Sequence, residues 1–454
     1  MHILCVDGFR GASLDSHGPA PCNNTKSHSC AEFMSEKTWS NDTISMNDKQ
    51  VRVLTLNCWG LKLVSKLRPL RLEAISAQLA QDGDSYDIVC LQEVWVESDF
   101  DQIKKACVDH FPYTKYYYSG IIAGPGLAVL SRWPIESAYV HRFGLNGRPS
   151  AFFRGDWYVG KSVASATIIH PSNHRIEILN AHMHAPYGPG DANYTCHRTS
   201  QAWEMARIAK RSMDAGNLTI VTGDLNSRPS SLTHQLFENM ALLQDAWESR
   251  HGEFSGDLSE MTPEQQIEEA GVTCNSRLNS WRASRPLSDA CRLDYIFFDP
   301  SRATVREARV AFTDKIEGGC SVSDHFGVSA VFELTPQDKS RHRKVSSATL
   351  TTMFDEFLAL VTTYKGTSIT QARVRNWHFM ASILVVIGLL VSVWWAAADN
   401  RAYVGFIYIL AAVVIAVTGV VDGLIGYLFG NTEMRALLEL ESELELAKRM
   451  LAKE

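Results

Sequence analysis

The chain carries no basic excess: 44 Lys and Arg stand against 50 Asp and Glu, for a net charge of −6. A dedicated nucleic-acid binder has the opposite balance, so that class is disfavoured. Paired cysteines are also missing. The ten Cys are scattered, with no C-x-x-C and no dense cluster. Such spacing suits a reducing compartment rather than a disulfide framework. The opening stretch MHILCVDGFRGASLDSH has no long apolar run after a basic start, so no secretory signal is read there. Residues 1–49 are rich in Ser, Asn, Asp, Lys and Gly and poor in periodic apolar positions, the composition of a disordered segment. Internal repeats are absent.

Long apolar runs are present, all of them near the C-terminus. Residues 377–398 hold no charge, and at about 1.5 Å per residue they cross a hydrocarbon layer of about 30 Å. A second run, 402–421, follows the polar turn Asp399-Asn400-Arg401, and Asp422 then interrupts it at the expected interface. Trp377, Trp394, Trp395, Tyr403 and Tyr427 fall near the ends, where aromatic belts form. These features predict a transmembrane hairpin over 377–430. Lys339, Arg341, Arg343, Lys344, Arg373 and Arg375 precede it, and Arg401 alone lies in the turn. That asymmetry predicts a large N-terminal part in the cytosol with both ends on the same side; the expected setting is the endoplasmic reticulum or another internal membrane, the mitochondrial outer membrane included, rather than secretion. The linker 336–376 contains Leu350, Met353, Phe354, Phe357, Leu358 and Val361 at helical spacing. This stripe suits a membrane surface and a protein surface equally. The tail 431–454 reads as a helix, solvated or self-associating.

Between these ends, residues 50–335 form the catalytic region. Strands are predicted at 51–56, 87–91, 127–130, 163–169, 176–181, 218–221, 293–298 and 326–334, and helices at 69–82, 98–108 and 196–213. Residues 251–280 read as a polar insertion with one helix. Many short strands with intervening helices predict an α/β or α+β sandwich.

Several of these strands stop at a polar or acidic residue. LNCWG ends the first, LQEVW the second, NAHMHAPY and GDLNSRP two more; RLDYIFF and SDH complete the series. Ends of neighbouring strands lie close in space, so such residues can converge. Any one of them alone is a turn residue or a solvated end. Together they supply Glu93, Asp224, Asp294 and Asp324, the amides Asn57 and Asn226, and the imidazoles His182 and His325. Carboxylates and amide oxygens without Cys suit a hard cation, Mg²⁺ or Mn²⁺. Such a cation with His and Asp is equipment for transferring phosphoryl groups to water.

The ordered set LN, QE, H-x-H, GDLN, LDY and SDH resembles the DNase I/exonuclease III endonuclease–phosphatase superfamily. With GDWYVGKS at 155–162, HRTSQAWE at 197–204 and the C-terminal hairpin, the chain is similar to the neutral sphingomyelinases and to the fungal inositol phosphosphingolipid phospholipases C. The resemblance implies a four-layer sandwich, two mixed β-sheets face to face with outer helices. It implies a Mg²⁺-dependent phospholipase C releasing ceramide and a phosphorylated headgroup, with a membrane sphingolipid as substrate and an anionic phospholipid as activator. By the same resemblance Glu93 would hold the metal with Asn57 beside it, and His325 would be the general base oriented by Asp294. Asp224 and Asn226 would position the attacking water, Asp324 would tune the metal site, and His182 would donate to the phosphoryl oxygens. His184 would support its neighbours. Asp156 and Lys161 would contact the lipid phosphate or switch with anionic lipid; a solvated surface hairpin is the alternative for that pair.

GDWYVGKS also fits the nucleotide pattern G-x-x-x-x-G-K-[ST]. That pattern needs small residues, a strand before and a helix after, whereas Trp157 and Tyr158 fill this loop and VASATIIH reads as a strand. Rival functions are a nuclease or inositol-polyphosphate phosphatase of the same fold, and a catalytically silent membrane scaffold. The headgroup, phosphoinositol or phosphocholine, and the oligomeric state are not encoded in any of these motifs.

Overall fold

The computed structural model describes residues 49–452 apart from 123, 189–193 and 399–400. The expected disordered segment 1–49 therefore lies, Lys49 excepted, outside the described residues. Twelve strands form two six-stranded sheets. In chain order they are β1 (Gln50–Asn57), β2 (Ile88–Gln92), β3 (Tyr113–Tyr116), β4 (Ala128–Ser131), β5 (Ile135–Arg142), β6 (Ser162–Ile169), β7 (Arg175–His182), β8 (Leu218–Asp224), β9 (Gln244–Asp245), β10 (Asp294–Phe298), β11 (Ala303–Ala311) and β12 (Gly327–Leu334). One sheet has the order β11-β12-β1-β2-β4-β3, the other β5-β6-β7-β8-β10-β9. Each contains one parallel pair, β1–β2 or β7–β8, among antiparallel neighbours.

Alternation explains the layers. Val51 and Val53 of β1 pair with Phe332 and Ala330 of β12, and all four join Ile178, Ile220 and Phe298 in the core between the sheets. Leu54 and Leu56 point the other way, onto the helices Arg68–Gln81 and Glu97–Ala106. The second sheet turns Leu179, Val221 and Phe297 toward the helix Thr195–Asp214. This is the four-layer sandwich expected, with the two C-terminal apolar helices beside it. Sequence periodicity missed β3, β5, β9 and β11. β3 and β9 are short, and β5 is an edge strand with both faces largely exposed, so none carries a clean alternation.

The amphipathic stretch and the first apolar run are one helix of 52 residues, Ser347–Ala398. The second apolar helix, Ala402–Gly423, returns beside it, and Asp422 meets Arg375 and His378 of the first helix, His378 Nδ1 at 2.8 Å. Asp422 is thus paired across the base of the hairpin. Both helices are long and apolar enough to cross a membrane, and their apolar side chains are mostly exposed.

The tail departs from expectation. Helix Gly430–Leu451 is neither solvated nor free: Leu437, Leu440 and Leu444 join Met353, Phe354, Phe357 and Val361 in the core on the outer face of the second sheet. Trp203 Nε1 donates to Glu443 at 2.9 Å, and Arg207 pairs with the same carboxylate. The stripe at 350–361 therefore faces protein, not membrane. Leu444 is fully buried, so Leu444→Ala is expected to cost about 2–5 kcal/mol, read as a lower urea midpoint in detergent.

Candidate active site

Strand register assembles the polar residues. His182 of β7 lies opposite Asp224 of β8, and Asp224 opposite Asp294 of β10. Paired positions share a sheet face, so these three side chains stand in one row. Across the sandwich β1 and β2 end together at Asn57 and Gln92, and Glu93 follows. β12 runs antiparallel to β1, which brings His325, just before it, to the same edge. Gly223 has φ 132°, and a Cβ there would lie 1.9 Å from the Ala181 carbonyl oxygen. Only glycine lets β7 and β8 approach closely enough to set His182 beside Asp224. Glu93 and Asn226 themselves sit in left-handed backbone, φ 58° and 49°.

Hydrogen bonds then fix the side chains. Asn57 Nδ2 donates to Glu93 Oε1 at 3.1 Å and to Asp224 Oδ2 at 3.0 Å, while its Oδ1 accepts from the Trp59 N–H at 3.0 Å. His325 Nδ1 lies 2.9 Å from Asp294 Oδ2 and 4.0 Å from Asp224 Oδ2. The same imidazole also meets the Cys274 thiol. His182 Nε2 is 3.5 Å from Asp224 and 3.8 Å from Glu93. Asn226 accepts no load from solvent: its N–H donates to Asp224 Oδ1 and its Nδ2 to the Met183 carbonyl, each at 3.0 Å. Asp324 receives Arg282 at 2.5 Å. Ser323 Oγ donates to the Asn57 carbonyl at 2.6 Å and so ties the SDH segment to the end of β1.

Asp156 and Lys161 belong to the same place. Their side chains are 4% and 3% exposed and 3.4 Å apart, and Lys161 Nζ donates to the Met183 carbonyl at 3.2 Å. A solvated hairpin is therefore wrong for this pair. The loop is followed by β6, as the rejection of a nucleotide site requires. His184 Nδ1 donates to the Ala185 carbonyl at 2.7 Å, and the ring stacks on Tyr194 at 4.1 Å. A cleft of about 830 Å³ is lined by Glu93, Asp156, Lys161, His182, Asp224, Asn226, Asp324 and His325. Asn57, Asp294 and His184 stand behind that lining.

Electrostatics separates the roles. Burial, reinforced by the Lys161 cation, holds the His182 imidazole well below its usual range, so it is neutral. Burial likewise lowers His184, to about 4. Burial and the nearby Asp324 push Glu93 up, and burial raises Asp224. His325 is the exception. Burial opposes its charge, yet its surroundings hold it well above the ordinary value. The Cys274 thiol, bonded to Cys291 and buried, is itself kept neutral, so the carboxylates of Asp294 and Asp224 carry that effect.

The donor set fits a hard divalent cation. Glu93, Asp224 and Asp324 offer carboxylate oxygens in one cleft, and ligand atoms of Asp224, Asp294 and His325 lie within 4.8 Å of one another. A second acidic cluster, His234, Asp245 and Glu248, does not fit one. The Arg292 guanidinium already fills it, pairing with Asp245 and, at 2.6 Å, with Glu248.

Trp95, which the sequence offers as a contact for the interface or the ceramide, lines the cleft, and sequence reasoning missed several of its neighbours. Trp95 Nε1 donates to Glu93 Oε2 at 3.4 Å, and its ring faces His182. Arg154, Arg228, Arg282 and Arg285 also line the cleft. No local pattern marks these arginines, because Arg228, Arg282 and Arg285 sit in turns and irregular backbone and Arg154 ends a 3-10 helix of only three residues.

The family model described as the Endonuclease/Exonuclease/phosphatase family matches residues 54–325. Among curated proteins, an inositol phosphosphingolipids phospholipase C of Saccharomyces cerevisiae is 41% identical over 89% of this chain and 92% of its own length. A protein of the same name from Schizosaccharomyces pombe is 38% identical over 88% and 94%. Sphingomyelin phosphodiesterase 2 of Rattus norvegicus is 29% identical over 87% and 91%.

Proposed function

This chain belongs to the endonuclease/exonuclease/phosphatase family and is a phosphoric diester hydrolase, a phospholipase C of sphingolipids; from that premise we propose that it cleaves inositol phosphosphingolipids, with Mg²⁺ as its cofactor. The observation that carries the reading is the row His182, Asp224, Asp294 with His325 on Asp294 and Glu93 facing it across one cleft. Water is a poor nucleophile until it loses a proton. His325, held at Nδ1 by Asp294, takes that proton in its neutral form; because its neighbours hold it well above the ordinary imidazole range, turnover is expected to rise with pH through that raised range. Asn226 and Asp224 position the water. Its oxygen then bonds to phosphorus as the P–O bond to ceramide breaks; the ceramide oxygen leaves with that electron pair and takes up a proton to depart as the alcohol, while the proton on His325 returns to solvent. Neutral His182 and the Lys161 cation donate to the phosphoryl oxygens, where negative charge concentrates. Mg²⁺, or Mn²⁺ in its place, would be held by Glu93 with Asn57, Asp224 and Asp324 beside it, and when bound supplies positive charge to those oxygens.

The substrate keeps two chains in the bilayer, so a tethered enzyme meets it at high effective concentration. The catalytic part faces the cytosol of an internal membrane. Activation by anionic phospholipid works through the loop of Asp156 and Lys161. Trp157, between them, touches Phe429 at the base of the hairpin, ring centres 5.8 Å apart.

The test is headgroup release from inositol phosphoceramide and sphingomyelin micelles with Mg²⁺, with EDTA, and with Glu93→Gln. Release is expected with Mg²⁺ and its loss, at least about 100-fold, in the other two. Unchanged release in EDTA would remove the metal. Nicked DNA with no lipid turnover would replace a lipase with a nuclease.

A further inference from the structure

The cleft has walls of different character. One comes from Arg154–Lys161 and Ala185–Gly188, and it reaches the hairpin through Trp157 and Phe429. Ceramide, which stays in the bilayer, belongs on that side. Another comes from the segment Cys274–Leu293, which brings Asn275, Arg282, Arg285 and Asp289, and Arg228 joins it. None of these residues bonds to the hairpin among the described contacts.

Among the described residues this second wall contributes hydrogen-bonding groups to the cleft, whose aromatic lining, Trp59, Trp95 and Tyr187, comes from other segments. Trp281 turns away from it, donating to the Ser321 carbonyl at 2.8 Å and lying edge-on to Trp59. Arg282 is committed to Asp324. Arg285 is half-exposed and stands loosely 3.5 Å from Asp289. Asn275, in left-handed backbone at φ 56°, donates to the Asp289 carbonyl at 3.3 Å. Arg228 lies 3.4 Å from the Ala290 carbonyl.

Resting on the reading above, we propose that Arg228, Asn275, Arg285 and Asp289 form the subsite that reads the headgroup, and that it takes a polyhydroxylated ring. Guanidinium groups offer paired N–H donors at the spacing of neighbouring hydroxyls, and Asp289 and Asn275 accept from the same hydroxyls. A trimethylammonium group can do neither. It neither donates nor accepts a hydrogen bond, and Arg228 and Arg285 repel its charge. The phosphate is common to both lipids and sits at the catalytic residues. Discrimination must therefore come from groups beyond it, and this wall supplies them.

The experiment is the ratio of kcat/KM for inositol phosphoceramide to that for sphingomyelin, in the same Mg²⁺-containing mixed micelles. Wild type, Arg285→Ala, Arg285→Glu and Asn275→Ala are compared as full-length protein. The ratio is expected to fall roughly 10–100-fold in Arg285→Ala, as for a lost charged hydrogen bond. It falls further in Arg285→Glu, where sphingomyelin turnover rises. Asn275→Ala lowers it by less. A ratio unchanged in all three variants, whether or not both rates fall together, overturns the assignment. Wild type idle on both lipids would instead overturn the phospholipase reading itself, so the two failures are told apart.

Discussion

Replacing His325 with alanine is expected to lower kcat on a sphingolipid phosphodiester by roughly 10²–10⁴ while KM changes little. The imidazole is fixed from behind by Asp294 at 2.9 Å and from its own backbone by Ser323. His182 and Glu93 do not replace it as base: His182 lies against Glu93 and Asp224, on the proposed phosphoryl side, and Glu93 is the proposed metal ligand. Because His325 only borders the cleft, its removal leaves the walls that bind lipid intact, which is why the loss falls on kcat. Asp294→Asn should follow it closely. The amide would present a donor to Nδ1 and stabilise the wrong tautomer. Steady-state kinetics in mixed micelles, with unfolding checked by circular dichroism, decide the point. A His325→Ala protein that keeps more than about a tenth of wild-type kcat would remove the imidazole from the mechanism.

The second large effect concerns the hairpin. Exchanging residues 382–418 for a short Gly-Ser loop, with both helical arms kept, should lower turnover in bilayers by about 10²–10⁴, the usual scale of lost effective concentration. Hydrolysis of a small soluble phosphodiester should persist. The arms must be kept because Met353, Phe354 and Phe357 on one and Leu437 and Leu444 on the other complete a core of the catalytic body. Cutting the chain before the hairpin would strip Leu437, Leu440 and Leu444 from that core, and loss of activity would then report unfolding. Flotation with liposomes and a soluble chromogenic substrate separate the two measurements. Equal loss of both activities in the loop exchange would mean that the hairpin shapes the cleft directly.

Much of this site is legible in the sequence, and the reason is geometric. A residue at the end of an apolar strand has its position set by the strand's own register, so Asn57, Glu93, His182, Asp224, Asp294 and His325 could be named before any coordinates. The same logic gave the sandwich, because β1, β6, β7, β8 and β12 each carry an apolar face that needs a partner. Edge strands such as β5 lack that face and were invisible. The arginines of the second wall were invisible for a related reason. Arg282 and Arg285 are placed by turns and by bonds such as Arg277 Nε to the Arg285 carbonyl, 2.8 Å, and not by any period. The tail was half legible: Leu437, Leu440 and Leu444 announce a helix with one apolar face, but a helix does not say which surface that face will meet.

The closing of that last helix onto the body has a consequence for how the enzyme is made. A ribosome synthesises both apolar helices before it reaches Leu437–Leu444, yet those leucines seal the outer face of the second sheet. The newborn chain therefore cannot close that core until both apolar helices have been made, and the hydrolytic half is finished last, by the residues that follow them.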